Sequence, residues 1–236
     1  MTSASPEIKI ELHKSPVSDA ERIQALETPG FGKLFTDHMV LARWTAEKGW
    51  HDAKVTPRRP LELDPASAVL HYAQEIFEGM KAYKADDGRI LLFRPEENAR
   101  RFAQSANRMA MPPVPEELFL KAVEELVRVD RAWIPSGDAS LYLRPFMFAN
   151  EAFLGVRPAQ EYVFCIIASP VGAYFKGGAK AVSLWVETEY TRAAAGGTGA
   201  AKCGGNYAAQ PLWRNPRRRK MGCDQSSSST PQSIAG

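Results

Sequence analysis

The chain has 236 residues, of which 44% are hydrophobic and 24% charged, with a formal net charge of +3. These globular values allow a sizeable core and exclude a disordered polar chain, and no run of eighteen apolar residues is present to suggest a membrane span. The basic excess is local: residues 210–236 hold Arg214, Arg217, Arg218, Arg219 and Lys220 against Asp224, so the other residues sum to −1. A nucleic-acid partner would rest on that short run alone, with no interleaved aromatic platform or basic face elsewhere to support it, and is not expected.

The N-terminal stretch MTSASPEIKIELHKSP has no apolar core of a secretory signal, so a cytoplasmic location is expected. Cys165, Cys203 and Cys223 have no CxxC spacing and the four histidines form no HExxH, so neither a disulfide framework nor a metal site is expected.

In chain order, HMVLARWT (38–45), RILLF (89–93), ASLYLRPFMFA (139–149), EYVFCIIAS (161–169) and KAVSLWVE (180–187) are rich in β-branched and aromatic residues and bounded by turn formers, which predicts strands. Between them, residues 95–111 and 115–134 show apolar spacings of three and four behind a proline and glutamates, which predicts two helices. This order indicates an α+β fold. SPVGAYFKGG (169–178) reads as an interdomain connection or a site loop, with a second domain beginning near residue 180.

Lys202 is the only charged residue in AAAGGTGAAKCGGNYAA (193–209), among five glycines and seven alanines. Low-polarity surroundings disfavour an ammonium and favour the free amine, so a Schiff-base lysine is one reading. A flexible Gly/Ala linker with an incidental lysine is the other. Ala201 before the lysine and Cys203 after it exclude a phosphate-binding P-loop, and the lysine occupies the place of the third glycine in a dinucleotide fingerprint. No GxSxG elbow occurs.

The segments FTDHM (35–39), LHYAQEIFEGMKAY (70–83), LFRPEENARRF (92–102), SLYLRPFMFANEAFLGV (140–156), SPVGAYF (169–175) and KCGGNYAA (202–209) resemble, in order and spacing, the branched-chain amino acid aminotransferases. These are fold-type IV enzymes dependent on pyridoxal 5'-phosphate. The resemblance implies a small N-terminal domain over residues 1–173, a linker at 174–180 and the start of the cofactor-binding domain at 181–209. It also implies transamination of leucine, isoleucine or valine with 2-oxoglutarate to give branched 2-oxo acids and glutamate.

By the same resemblance Lys202 is the Schiff-base and proton-transfer lysine, Arg101 binds the cofactor phosphate and Tyr207 lies against the cofactor. Phe35, Tyr72, Phe77, Tyr142 and Tyr174 match the aromatic wall of the substrate pocket, and Arg144 matches the arginine that meets the side-chain carboxylate of glutamate. Leu154 and Val156 match a loop that reaches a partner subunit, which implies a homodimer. Arg192 matches a substrate or loop contact. From periodicity alone the aromatic residues read equally as core.

The resemblance stops after Ala209, and the glutamate that pairs with the pyridine nitrogen in the family has no counterpart here. A segment around Lys202 without the rest of its domain is expected to leave apolar surface uncovered, and the chain by itself is expected to be inactive. The arginine and serine runs at 210–236 suggest altered reading frames. Codons for Ser226–Gly236 read one base earlier can give VVFLDAAEHRW, and codons for Trp213–Met221 can give AQPEATEN after one apolar residue, while Cys223–Gln225 fit the family unshifted. Alternative readings are another fold-type IV enzyme, such as a D-amino acid aminotransferase, or a non-catalytic relative that dimerises or binds nucleic acid through the arginine-rich tail.

Overall fold

The computed structural model describes residues 7–172, 181, 184–187, 191–208 and 225–228. Eight strands form one mixed sheet: β1 (Lys9–Ile10), β2 (His38–Thr45), β3 (Gly49–Pro57), β4 (Glu75–Phe77), β5 (Met80–Lys84), β6 (Ile90–Leu92), β7 (Ser140–Ala149) and β8 (Glu161–Val171). Their order is β1-β3-β2-β8-β7-β5-β6, with β4 also paired to β7. All pairs are antiparallel except β1 with β3. The expected strands at 38–45, 139–149 and 161–169 are β2, β7 and β8, and the expected strand at 89–93 is β6.

The helices are α1 (Asp19–Glu27), α2 (Ala68–Tyr72), α3 (Pro95–Arg108), α4 (Glu116–Val129) and α5 (Gly205–Ala208). Ser18 and Glu21 form a reciprocal capping box on α1. The helix predicted at 115–134 ends earlier, at Val129. Asp130 leaves helical geometry and turns its carboxylate onto His38, accepting from the His38 backbone N–H at 3.1 Å and meeting Nδ1 at 2.6 Å.

The core lies between α3, α4 and one face of the sheet. Phe102 of α3, Phe119 of α4 and Phe164 of β8 meet with ring centroids 5.4–5.9 Å apart, and all three are fully buried. Strand alternation divides β7: Leu141, Leu143 and Met147 are fully buried, while Tyr142, Arg144 and Phe146 are half-buried on the other face. That alternation sets up the site, because Phe77 is in register with Phe146 and Lys81 with Tyr142.

Two further strands, β9 (Leu184–Glu187) and β10 (Gln225–Ser228), form a separate parallel pair. β9 lies within the expected strand at 180–187. β10 was not anticipated from residues 225–228 as written.

Candidate active site

The lysine segment is fastened to the first sheet and to α3. Lys202 donates its backbone N–H to Ser105 Oγ at 2.9 Å and accepts from the Phe77 N–H at 2.9 Å, so helix and strand hold the residue from both sides. Gly204 donates its N–H to Glu75. A Cβ at Gly204 would push that carboxylate aside, so a side chain here would disturb this tie. Asn206 is buried and ties the loop to itself through Thr198 and the Ala201 carbonyl, at 2.8–2.9 Å for its N–H donors. Arg108 donates to the carbonyls of Gly196 and Gly197, and Arg192 to that of Gly199 at 2.7 Å. Ala201 and Cys203 are buried in the main core. The Gly/Ala run is therefore an anchored loop, and the linker reading does not hold.

The Lys202 amine projects among aromatic groups. Nζ donates to Tyr207 Oη at 3.2 Å and stands 4.6 Å above the Phe77 ring and 5.3 Å from the Tyr207 ring. Phe77 and Tyr207 themselves are 5.2 Å apart. Among the described residues no carboxylate forms an ion pair with this amine. Cation–π attraction and one phenol are weak holds compared with a salt bridge, so the amine is left available to a carbonyl.

Arg144 lies across the same ring. Its guanidinium carbon is 4.7 Å from the Phe77 centroid and 5.4 Å from that of Tyr142, and Nη2 donates to Tyr142 Oη at 2.8 Å. Its Nε is buried with no partner among the described residues, an unused donor beside the apolar wall. Tyr142 is fitted closely over Gly79, where any side chain would strike its hydroxyl. Burial pushes the Glu75 carboxyl above its ordinary range, against the Gly204 N–H and the charge of Arg144.

Arg101 lies near enough to Tyr207 to feel its phenol, and is held by Glu78. Its Nε and Nη2 donate to the two oxygens of Glu78 at 2.5 and 2.8 Å. That paired hydrogen bond is the main cause holding the guanidinium above its ordinary pKa, with the nearby Tyr207 phenol contributing in the same direction.

Of the residues singled out from sequence, Lys202, Tyr207, Phe77, Tyr142 and Arg144 come together, with Arg101 adjoining through Tyr207. Phe35 instead packs under Arg58 at 5.1 Å, and Tyr72 is exposed beside His71. Neither has a contact with Lys202 among those described. Tyr174 lies outside the described residues. Leu154 and Val156 are 68% and 94% exposed on the turn between β7 and β8, apolar side chains without cover in the single chain. Sequence reasoning missed Phe31, 5.7 Å from the Tyr142 ring, and also Glu75, Glu78, Asn98 and Ser105. Glu78 had a visible signal, since it is a carboxylate in the apolar IFEGM run.

No family model matches the chain. The branched-chain-amino-acid aminotransferase of Mycolicibacterium smegmatis is 53% identical over 227 residues, covering 95% of this chain and 61% of the relative. A probable branched-chain-amino-acid aminotransferase of Streptomyces coelicolor is 54% identical over 227 residues, covering 95% and 62%. The chain thus spans about three fifths of the length of these curated relatives.

Among solved structures, the Escherichia coli branched-chain amino acid aminotransferase superposes with a TM-score of 0.62 at 24% identity, covering 81% of this chain and 60% of the other, a likeness of fold. The T.th. branched-chain amino acid aminotransferase with pyridoxamine 5'-phosphate gives 0.61 at 26% identity, with the same coverage. Over 95% of its length the chain is similar in sequence to the branched-chain-amino-acid aminotransferases, and its fold is similar to theirs.

Proposed function

We propose that this chain supplies the lysine-bearing side of a site for transamination between branched-chain L-amino acids and 2-oxoglutarate, with pyridoxal 5'-phosphate as cofactor. The observation that carries this reading is the Lys202 amine, fixed at its backbone by Ser105 and Phe77 and free of any described carboxylate partner. The residues fit such a group: an available amine for its aldehyde, a phenol at 3.2 Å from that amine, and an exposed guanidinium nearby for its phosphate. When bound, the cofactor supplies an electron sink for the carbon from which the amino acid loses its proton.

The chain's own residues account for the remaining roles. The Lys202 amine would hold the cofactor through its aldehyde and, once freed by the substrate amine, would serve as the base that takes the proton from the substrate Cα and as the acid that gives it back. Tyr207 limits where the amine can point. Phe77 and Tyr142 offer apolar area to an aliphatic side chain and exclude water from it. Arg144, with an unused donor beside that wall, meets the side-chain carboxylate of glutamate, so one pocket takes both kinds of substrate. The exposed Leu154 and Val156 suit burial against a second copy of the chain, and the reading includes a homodimer.

The test is borohydride reduction after incubation with pyridoxal 5'-phosphate, followed by peptide mapping. The expected result is a label on Lys202 that Lys202→Ala abolishes while the fold is retained. A label spread over the surface lysines, unchanged in that variant, would overturn the reading.

A further inference from the structure

Glu78 is an expensive residue to keep where it is. Its side chain is fully buried, whereas that of Arg101, its partner, is 54% exposed. An isolated buried carboxylate is strongly unfavourable, and this one is satisfied by four donors: Arg101 Nε at 2.5 Å, Arg101 Nη2 at 2.8 Å, Asn98 Nδ2 at 2.8 Å and the Gly79 N–H at 3.1 Å. Its backbone N–H donates to Pro145 at 2.7 Å between β4 and β5, where strand alternation turns the side chain toward α3. Asn98 and Arg101, three positions apart on one face of that helix, receive it.

The pair is asymmetric in a way that a simple helix-to-sheet clamp does not require. A guanidinium has five N–H groups, and Glu78 takes two, on the Nε/Nη2 edge. No other acceptor bonds Arg101 among the described residues, so the Nη1/Nη2 edge keeps its donors, and Arg101 lines an open depression of about 420 Å³ with Glu97, Asn98, Arg100 and Gln104. A planar fork fixed at one edge can present the other to an anion without losing rotamer freedom on binding.

We infer that Glu78 is a positioning residue: with Asn98 it locks Arg101 so that the free edge of the guanidinium receives the phosphate of the cofactor. The inference rests on the cofactor reading above. It differs from a purely structural role in acting on phosphate and not on the rest of the ligand.

The test compares the Kd of pyridoxal 5'-phosphate with that of pyridoxal, by absorbance titration of the full chain. In the unsubstituted protein the phosphate tightens binding on the order of tenfold or more. Glu78→Gln should remove about tenfold of that preference, leaving pyridoxal affinity and the circular dichroism spectrum unchanged. Arg101→Ala should do the same, and the double variant should be no worse than Arg101→Ala alone. A Glu78→Gln protein that keeps the full phosphate preference overturns the inference. If that variant does not fold, Asn98→Ala, at a partly exposed position, should lower the same ratio about threefold, and no change there overturns it equally. Should the unsubstituted chain bind both ligands alike, Glu78 has no such role while the reading of Lys202 stands. Should it bind neither, both fall.

Discussion

At the residue scale, the lysine loop is held by two side chains from the first sheet and its helix: Glu75 accepts from the Gly204 N–H and Ser105 from the Lys202 N–H. Lys202 is conspicuous because nothing charged lies near it in the chain. Ser105 and Glu75, which anchor its loop, lie 97 and 129 residues from their bonding partners, and no local pattern announces them. Glu75 carries a consequence that can be measured. Burial raises its carboxyl pKa above the ordinary value of 4.5, so the folded chain holds this proton more tightly than the unfolded chain does. The sign follows by linkage: this group favours the fold most at low pH, and its contribution falls as pH rises through 4.5 and up to the raised value. Glu75→Gln, which cannot ionise, should therefore gain stability relative to the unsubstituted chain as pH goes from about 4 to about 7. Urea midpoints measured for both proteins across that range give the comparison, and a difference that stays constant with pH would show the burial to be energetically silent.

At the element scale, the long segments with a clear period were readable and the short ones were not. α3 begins with Pro95 and two glutamates and spaces its apolar residues by three and four, so its place was evident. β4 and β5 have three and five residues and are separated by Glu78 and Gly79, too short for alternation to register. β3 was obscured by Gly49 and Asp52, both at positive φ, which twist a strand whose residues are half polar. α3 serves two ends at once: Phe102 faces the core, while Asn98, Arg101, Ser105 and Arg108 face Glu78 or the lysine loop. Phe102→Ala should cost about 3–5 kcal/mol in urea unfolding, because the ring fills the contact among Phe119 and Phe164. Ser105→Ala should cost only about 1–3 kcal/mol, from the Lys202 N–H left without its acceptor, yet should slow covalent capture of pyridoxal 5'-phosphate. Equal losses of stability, or capture unaffected by Ser105→Ala, would separate the loop from the helix that is argued to hold it.

At the scale of the whole molecule, β10 joins the fold to the coding sequence. Alignment to the Mycolicibacterium relative covers 95% of this chain, and the remaining 5% of 236 residues is about 12, fewer than the 27 from 210 to 236. The likeness therefore continues past Ala209, where the familiar motifs stop. β10 begins at Gln225, the last residue of the Cys223–Gln225 stretch expected to be in frame, and pairs in parallel with Leu184–Glu187. Parallel ladders are built mainly from β-branched and aliphatic residues, whereas this strand continues in serine. Read one base earlier, those serine codons can give Val-Val-Phe-Leu, the kind of run that such a ladder normally takes. We propose that residues 213–221 and 226–236 lie in shifted frames on either side of an in-frame island, a backbone pairing kept while its apolar residues are changed. Sequencing the gene across this region should show codons that restore AQPEATEN and VVFLDAAEHRW after single-base changes, and codons that cannot be so read would end the proposal. The protein offers an independent measure: S226V, S227V and S228F together should raise the free energy of urea unfolding, by roughly 1–3 kcal/mol for each side chain that becomes covered, and no rise would count against an apolar strand at this position.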